Sequence, residues 1–162
     1  MELTLRSPSL ADYEVIAAWI SDAGACRRWA GPKVPYPFSL AELPKLLALP
    51  GGESYSLAEH GGGSPLGFGQ YWPRPDNTVH LLRIIVRPES RGRGLGRELC
   101  GQLVACAVDS TSAQAVTLNV YRDNSAAVAL YERLGFIVVS EKSIGDALFM
   151  AKHVLASNVA SG

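Results

Sequence analysis

Long apolar segments and paired cysteines are both missing from this sequence. No apolar run reaches the roughly 18 residues that a membrane-spanning helix requires, so no contact with a membrane is expected. Cys26, Cys100 and Cys106 form no CxxC pair and leave an odd count. In the absence of a recognisable secretory signal, these cysteines predict reduced thiols in the cytoplasm rather than a disulfide framework.

An excess of positive charge is also missing. Lysine and arginine together number 15, as do aspartate and glutamate, so the formal net charge is zero. A general nucleic-acid-binding protein needs surplus cations to neutralise phosphates, and no nucleic-acid partner is therefore expected. The charge is nevertheless uneven along the chain. The densest cationic run consists of Arg83, Arg87, Arg91, Arg93 and Arg97.

The size and composition are those of one globular domain. The chain has 162 residues, of which 48% are hydrophobic and 19% charged, enough to form a sizeable core. No repeat, linker or low-complexity segment divides it. One domain over residues 1–155 is therefore predicted, and the small and polar residues at 156–162 predict a frayed tail.

Hydrophobic periodicity and turn residues predict an α/β fold with a mixed sheet, in the order β-α-α-β-β-β-α-β-α-β-β. Strands are expected at 2–6, 55–59, 66–72, 79–86, 116–120, 136–140 and 147–152. Helices are expected at 11–20, 41–47, 95–108 and 125–134. Ser39 and Glu42 have the spacing of a capping box for the second helix. Gly135 is placed to end the last helix in a left-handed conformation.

A glycine-rich loop lies between a predicted buried strand and a predicted helix. The loop, residues 91–96, has the sequence Arg-Gly-Arg-Gly-Leu-Gly. Glycines at alternate positions allow the backbone to approach a ligand closely. The first amides of a helix have no partner within it and attract anions, and the arginines strengthen that preference. The loop predicts a pyrophosphate-binding site; the alternative is a solvent-exposed arginine turn.

The loop matches neither of two common nucleotide-binding patterns. Its glycines fall at 92, 94 and 96, not as GxGxxG, and no Gly-Lys-Ser/Thr follows. The pattern is Arg-x-x-Gly-x-Gly after a strand, which resembles the signature motif of the GNAT superfamily of N-acetyltransferases. Residues 124–136 resemble the second hallmark of that family, N-x-x-A-x-x-x-Y-x-x-x-G-F. The resemblance is strong over the C-terminal half; the first half matches only in the order of its elements.

The resemblance implies a site for acetyl-CoA as cosubstrate, with no metal. The main chain of the loop would hold the coenzyme A pyrophosphate through Arg91, Gly92, Arg93, Gly94, Leu95, Gly96 and Arg97. The strand ending at Val86 would diverge from strand 116–120, and backbone groups at Ile84, Ile85 and Val86 would pair with the pantetheine arm. Asn124 would hydrogen-bond the pantetheine, although an ordinary helix N-cap explains it as well.

The resemblance also implies an acid and a base. Tyr131 corresponds to the tyrosine that protonates the departing thiolate, although a tyrosine on a helix is often a core residue. His80 is the candidate base that deprotonates the acceptor amine, and its ordinary pKa of roughly 6.5 suits the task. A satisfied histidine at a strand end is the equal alternative. Glu59 is the reserve candidate, and a water chain is the third possibility.

The implied function is acetyl transfer to a primary amine by direct attack in a ternary complex. The acceptor would be a small amine, an amino acid or a peptide N-terminus, and the protein a monomer or a homodimer. The cysteines have no histidine nearby in sequence, so core packing is favoured over a thiol nucleophile. The acceptor cleft is expected near an aromatic set, Trp29, Tyr36, Phe38, Tyr71 and Trp72, although for each of them singly an ordinary core or wall residue is the favoured interpretation. The alternative functions are a non-catalytic acyl-CoA-binding sensor and a domain that binds nucleotides or RNA.

Overall fold

Seven strands form one mixed sheet in the spatial order β1-β2-β3-β4-β5-β7-β6. The computed structural model describes residues 2–154, and the predicted tail at 156–162 lies outside them. The strands are β1 (Leu3–Arg6), β2 (Glu53–Glu59), β3 (Gly67–Pro73), β4 (Thr78–Val86), β5 (Ala115–Tyr121), β6 (Ile137–Val138) and β7 (Ala147–His153). The helices are α1 (Leu10–Ala18), α2 (Ala23–Ala30), α3 (Leu43–Leu46), α4 (Leu95–Thr111) and α5 (Ser125–Arg133). The predicted α/β class with a mixed sheet is confirmed.

The pairing of β4 with β5 is the one parallel pairing among the named strands, and it sets the position of α4. Strands β1 to β4 pair antiparallel in sequence, whereas β5 lies parallel to β4 and antiparallel to β7. A parallel pair needs a crossover, which α4 supplies. Helix α4 packs so closely on β3 that a side chain would not fit at Gly69 of β3. A Cβ added there would lie 2.5 Å from the Cδ1 atom of Leu103 in α4. None of the helices in residues 2–154 has the length and apolarity needed to cross a membrane.

The sheet separates two hydrophobic cores. One lies under α4 and contains Leu81, Leu99 and Leu103, all fully buried. The other lies under α1, α2 and α3 and contains Ile16 and Phe68. Burial of these side chains supplies the main driving force for folding, at about 25 cal/mol per Å² of apolar surface. The sheet is thereby covered by a hydrophobic core on both faces.

A β-bulge interrupts β4 at Arg83. Arg83 has a φ of +53°, and the register with β3 shifts between the pairs Gln70–Leu82 and Phe68–Ile85. Leu81, before the bulge, and Ile84, after it, both pack in the core under α4. Side chains on one face of a regular strand are two residues apart, so this spacing of three shows that the bulge shifts the alternation by one residue. Pairing of β4 with β5 ends at Leu81. Beyond that residue the two strands diverge, as the resemblance implied.

Three local expectations were wrong. Helix α2 was not predicted; Asp22 caps it, accepting from the Ala25 amide at 2.8 Å. The capping box of Ser39 and Glu42 does not form, because α3 is a four-residue turn without a side-chain cap. The strand expected at 136–140 is only Ile137–Val138, because a 3₁₀ turn begins at residue 140.

Candidate active site

The divergence of β4 and β5 opens a cleft of about 500 Å³. Its walls come from the end of α2, the middle of β4, the end of β5, the first turns of α5 and the segment before β7. Four of the predicted catalytic and cosubstrate-binding residues line it: His80, Ile84, Asn124 and Tyr131. These residues lie up to 51 positions apart in the sequence (131 − 80). The fold therefore gathers the predicted acid, the predicted base and part of the predicted cosubstrate site in one cavity.

The second half of β4 has free backbone groups on its β5 side. The Arg87 amide donates to the Leu66 carbonyl at 2.9 Å, on the β3 side. Alternate residues of a strand direct their N–H and C=O groups to the same side, so Ile85 also faces β3. Ile84 and Val86 then face the opening. Of the three predicted pantetheine contacts on this strand, only these two have main-chain groups to offer.

The loop before α4 presents a row of unpaired amides. Gly92 and Gly94 have φ values of +81° and +82°, and Gly94 is the left-handed N-cap of α4. Within residues 2–154, the amides from Gly92 through Arg97 donate to no protein acceptor. Successive amides in such a turn, followed by a helix N-terminus, form a concave anion-binding site. The 17-residue α4 adds its dipole to that site.

Three arginines of the cationic run surround this loop, whereas the other two do not. Arg91, Arg93 and Arg97 are exposed. Arg87 is held by the Ser90 hydroxyl at 3.0 Å. Arg83 donates to the Leu47 carbonyl at 3.0 Å, beside α3. Arg91, Arg93 and Arg97 are therefore exposed at the loop, whereas Arg83 and Arg87 form hydrogen bonds within the protein.

Asn124 is the N-cap of α5. Its Oδ1 atom accepts from the Ala127 amide at 3.3 Å, so the structural interpretation of this residue is correct. The cap uses the side-chain oxygen and leaves the Nδ2 group free to donate. Asn124 also lines the cleft, so capping and ligand binding are compatible at this position.

Tyr131 lies at the floor of the cleft. Its side chain is buried, and its ring packs edge-on against Phe136 at 6.0 Å. Burial, followed by the neighbouring Cys100, raises the pKa of Tyr131 above its usual value. The hydroxyl therefore stays protonated at neutral pH and is able to donate a hydrogen bond or to act as a general acid.

His80 lies where β4 still pairs with β5. Its Nδ1 atom is 2.8 Å from the Thr117 Oγ1 atom, and its Nε2 atom is 3.5 Å from the Asn119 Nδ2 atom. The ring stacks on Phe149 with centroids 6.3 Å apart. Burial, with a smaller effect of the Arg74 charge, lowers the pKa of His80 to about 4. The expectation that this histidine keeps an ordinary pKa was wrong; the imidazole is neutral at physiological pH and a weak base.

The reserve base and the cysteines lie outside the cleft. Glu59 is at the exposed end of β2, paired with β1, two strands away from β4. Cys26 and Cys100 are buried, and burial raises the pKa of Cys100 to about 12. A thiolate nucleophile is therefore disfavoured, as the sequence indicated.

Only part of the predicted aromatic set lies at the cleft. Trp29 lines the cleft, whereas Tyr71 is a core residue stacked on Tyr55 at 6.0 Å. Tyr36 and Phe38 pair edge-on with each other in the loop after α2. Sequence reasoning missed the cleft residues Tyr121 and Lys142. The position of Tyr121 at the end of β5 was a usable signal, whereas nothing local to Lys142 marked it.

Together, the open strand edge, the unpaired loop amides and the cleft are suited to a diphosphate-bearing molecule. The chain belongs to the acetyltransferase (GNAT) family, whose model matches residues 22–136. One curated relative, the 5-NmdU N-acetyltransferase of Pseudomonas phage PaMx11, is 39% identical over 80 residues, covering 49% of this chain and 54% of the relative. The chain thus spans about half the length of that relative, and 16%, 36% and 28% of the length of three others.

Solved structures share the fold over nearly the whole chain. A spermidine N-acetyltransferase from Vibrio cholerae, in complex with CoA and spermine, has a TM-score of 0.74 at 21% identity, covering 93% of this chain and 95% of its own. The aminoglycoside acetyltransferase AAC(6')-Ib, in complex with coenzyme A and kanamycin, has the same TM-score and identity, covering 99% and 100%. At these identities the likeness establishes the architecture. No group of three or more potential metal ligands occurs in the described part of the chain.

Proposed function

We propose that this protein transfers an acetyl group from acetyl-CoA to a primary amine by direct attack in a ternary complex. The observation that carries the proposal is the succession of three neighbouring features. The unpaired amides at 92–97 adjoin the free edge of β4, because a Cβ added at Gly96 would lie 4.0 Å from the Val86 Cγ2 atom, and that edge leads through Ile84 into the cleft lined by Tyr131 and His80. A diphosphate, an extended amide-containing arm and a reacting thioester fit these features in that order.

The residues present suit the cosubstrate. The amides of the loop, helped by Arg91, Arg93 and Arg97, would hold the diphosphate. The free groups of Ile84 and Val86 and the Nδ2 group of Asn124 would bind the pantetheine amides. A main-chain N–H in this part of β4 would also stabilise the oxyanion that forms when the amine attacks the thioester. When bound, acetyl-CoA supplies an activated acyl group and a thiolate leaving group.

The acid role falls to Tyr131. A phenol with a raised pKa keeps its proton at neutral pH and donates a hydrogen bond to the departing sulfur. Its buried ring is fixed by Phe136, so the hydroxyl is held in one place.

The base role is shared between His80 and water. A neutral imidazole accepts a hydrogen bond from the amine and orients it. Because its lowered pKa makes it a weak base, a chain of water molecules would carry the proton on to bulk solvent. The geometry of Asn119 and Thr117 is compatible with the neutral form that carries hydrogen on Nδ1, because Asn119 Nδ2 is a donor facing Nε2. Nε2 then accepts from Asn119 across a long contact of 3.5 Å, and an incoming amine would take the place of that donor.

The names of the relatives agree with an amine acceptor. The phage relative, the spermidine enzyme and the aminoglycoside enzyme are each named for transfer to an amine-bearing molecule. We place the reaction in the cytoplasm, since the cysteines are free in the structure. The small amine, the amino acid and the peptide N-terminus remain the candidate acceptors.

An acceptor screen tests the proposal. Purified protein with acetyl-CoA and a panel of primary amines should release free coenzyme A thiol with at least one acceptor. Calorimetry should separately show coenzyme A binding and no comparable binding of ATP or a short RNA. Coenzyme A binding without transfer to any acceptor would indicate an acyl-CoA sensor, and the absence of coenzyme A binding would overturn the whole proposal.

A further inference from the structure

A second groove adjoins the cleft and shares residues with it. The groove, of about 540 Å³, is lined by Trp72, Arg74, Pro75, Asp76, Thr78, His80, Thr117, Lys142 and Phe149. His80 and Lys142 line both cavities. A molecule with its amine at His80 can therefore extend from the cleft into the groove.

Positive charge is concentrated around these two cavities. The cleft lining includes Arg27, Arg28, Arg83 and Lys142 and no carboxylate. The groove adds Arg74 and a single carboxylate, Asp76. Over the whole chain positive and negative groups are equal at 15 each. The asymmetry of five cations against one carboxylate is therefore a property of this site and not of the composition.

Two of the five cations are already compensated or turned away. Arg28 forms an ion pair with Asp123 at 2.7 Å and lies over the Tyr121 ring at 4.3 Å. Arg83 directs its guanidinium to the Leu47 carbonyl and to Gln70, away from the cleft. Neither of them is expected to add much to the attraction of an anion.

The other three cations have no carboxylate partner. Within residues 2–154, ion pairs are made by Arg6, Arg28 and Arg87, so Arg27, Arg74 and Lys142 are unpaired there. The single carboxylate, Asp76, accepts from the Thr78 hydroxyl at 2.5 Å. That hydrogen bond chiefly, and the Lys142 charge to a smaller extent, lower the pKa of Asp76, so Asp76 offsets part of the Lys142 charge without forming an ion pair with it. The site thus has a net positive charge available to a ligand.

Lys142 and Arg74 are held next to His80. The Lys142 Nζ atom lies 5.4 Å from the centre of the Phe149 ring, the ring on which His80 stacks. The Arg74 guanidinium carbon lies 3.7 Å from the centre of the Trp72 ring, and Trp72 pairs with His80 across β3 and β4. Cation–π contact restrains both side chains, so the two charges flank His80 on a preformed surface.

From this arrangement, and resting on the proposed function, we propose that the acceptor carries an anionic group close to its amine, held by Lys142 and Arg74. The anion is a carboxylate or a phosphate. A polycation would meet uncompensated positive charge in both cavities, whereas an amine with an attached anion would be attracted by it. The same positive field disfavours the ammonium form of a bound amine and so favours the free amine that attacks.

Matched acceptor pairs test this inference. Cadaverine is compared with lysine for a carboxylate, and ethanolamine with phosphoethanolamine for a phosphate, with spermidine as the polycation. The anion-bearing member of at least one pair should have a kcat/KM at least about tenfold higher, equivalent to roughly 1.4 kcal/mol. The advantage should shrink as the salt concentration rises, because exposed charges are screened.

Variants test whether Lys142 and Arg74 cause the preference for anion-bearing acceptors. Lys142→Gln and Arg74→Gln should each reduce the ratio within the preferred pair to about threefold or less, mainly through KM. Arg133→Gln is the matched control, since Arg133 is exposed on α5 and lines neither cavity. Thermal unfolding of each variant checks that the fold is retained.

Failure of this inference and failure of the proposed function give different results. Equal or better use of the anion-free amines or of spermidine overturns the inference and leaves acetyl transfer intact. If no acceptor is acetylated, the proposed function fails, and calorimetric titration of the same pairs into the coenzyme A complex decides the inference: tighter binding of the anion-bearing member supports it, and equal or weaker binding overturns it.

Discussion

The indole nitrogen of Trp29 donates a hydrogen bond of 2.9 Å to the carbonyl oxygen of Arg83, at the bulge of β4. This contact joins the helix that forms one wall of the cleft to the strand that forms the other. The C=O and N–H groups of one peptide unit point in opposite directions. Fixing the Arg83 carbonyl therefore also fixes the Ile84 amide, one of the main-chain groups on the open side of β4.

Trp29→Phe should impair the reaction more than it impairs folding. The variant keeps an aromatic ring against Phe68, which Trp29 contacts edge-on at 6.0 Å, but loses the indole donor. Unfolding free energy should fall by about 1 kcal/mol, as for one lost hydrogen bond. Stopped-flow or steady-state kinetics should show a kcat reduced by about tenfold. Trp19→Phe, at a half-buried tryptophan that packs against the core under α1 and lies outside the cleft, serves as the control and should leave kcat unchanged.

Alanine substitutions at two glycines, Gly94 and Gly101, test cosubstrate binding and helix stability separately. Gly94→Ala forces a side chain into a left-handed conformation, with φ of +82°, at a cost of about 1–2 kcal/mol, and displaces the loop amides. The dissociation constant for coenzyme A should rise by about tenfold. Gly101→Ala lies within α4 with no atom within 4 Å of the added Cβ, and should stabilise the fold by about 0.5–1 kcal/mol.

Calorimetry and chemical unfolding of the two variants check this pair of expectations. Unchanged coenzyme A affinity in Gly94→Ala would contradict the assignment of the loop. A loss of affinity in both variants would instead indicate that any change in α4 disturbs binding.

The parts of the site that local sequence could predict are those that depend on local geometry. The loop before α4, the Asn124 cap and the Gly135 terminator, with φ of +98°, follow from neighbouring residues along the chain. The bulge at Arg83 does not, because it depends on how β4 pairs with β3. Lys142 reaches the cleft only because β7 pairs with β5, which is a contact between distant segments. The lowered pKa of His80 likewise depends on burial that no local pattern encodes.

Removing one hydroxyl group tests the acid role. Tyr131→Phe keeps the ring that packs on Phe136, so unfolding free energy should change by about 1 kcal/mol or less. The kcat should fall by about 100-fold with little change in KM, because the hydroxyl acts on the leaving group and not on binding. Tyr13→Phe, at a buried tyrosine in the core under α1, is the control. A kcat for Tyr131→Phe within about twofold of the parent would show that the leaving thiolate needs no acid from this residue.

The lowered pKa of His80 gives stability a pH dependence with a definite sign. The folded pKa of about 4 lies below the ordinary histidine value of 6.5, so the unfolded chain binds a proton more readily. Stability supplied by the neutral imidazole is therefore present above pH 6.5 and is lost as the pH falls from 6.5 through about 4, by about 3 kcal/mol in all. Denaturant unfolding between pH 7 and pH 4 should show this loss in the parent, and His80→Gln should remove it. His60→Gln, at an exposed histidine outside the cleft, should keep the slope of the parent.

Since His80 is already neutral throughout the range in which the enzyme would be assayed, the acid limb of kcat/KM should follow the pKa of the acceptor amine when acceptors are exchanged. An acid limb fixed near one pH for all acceptors would assign it to a group on the protein instead.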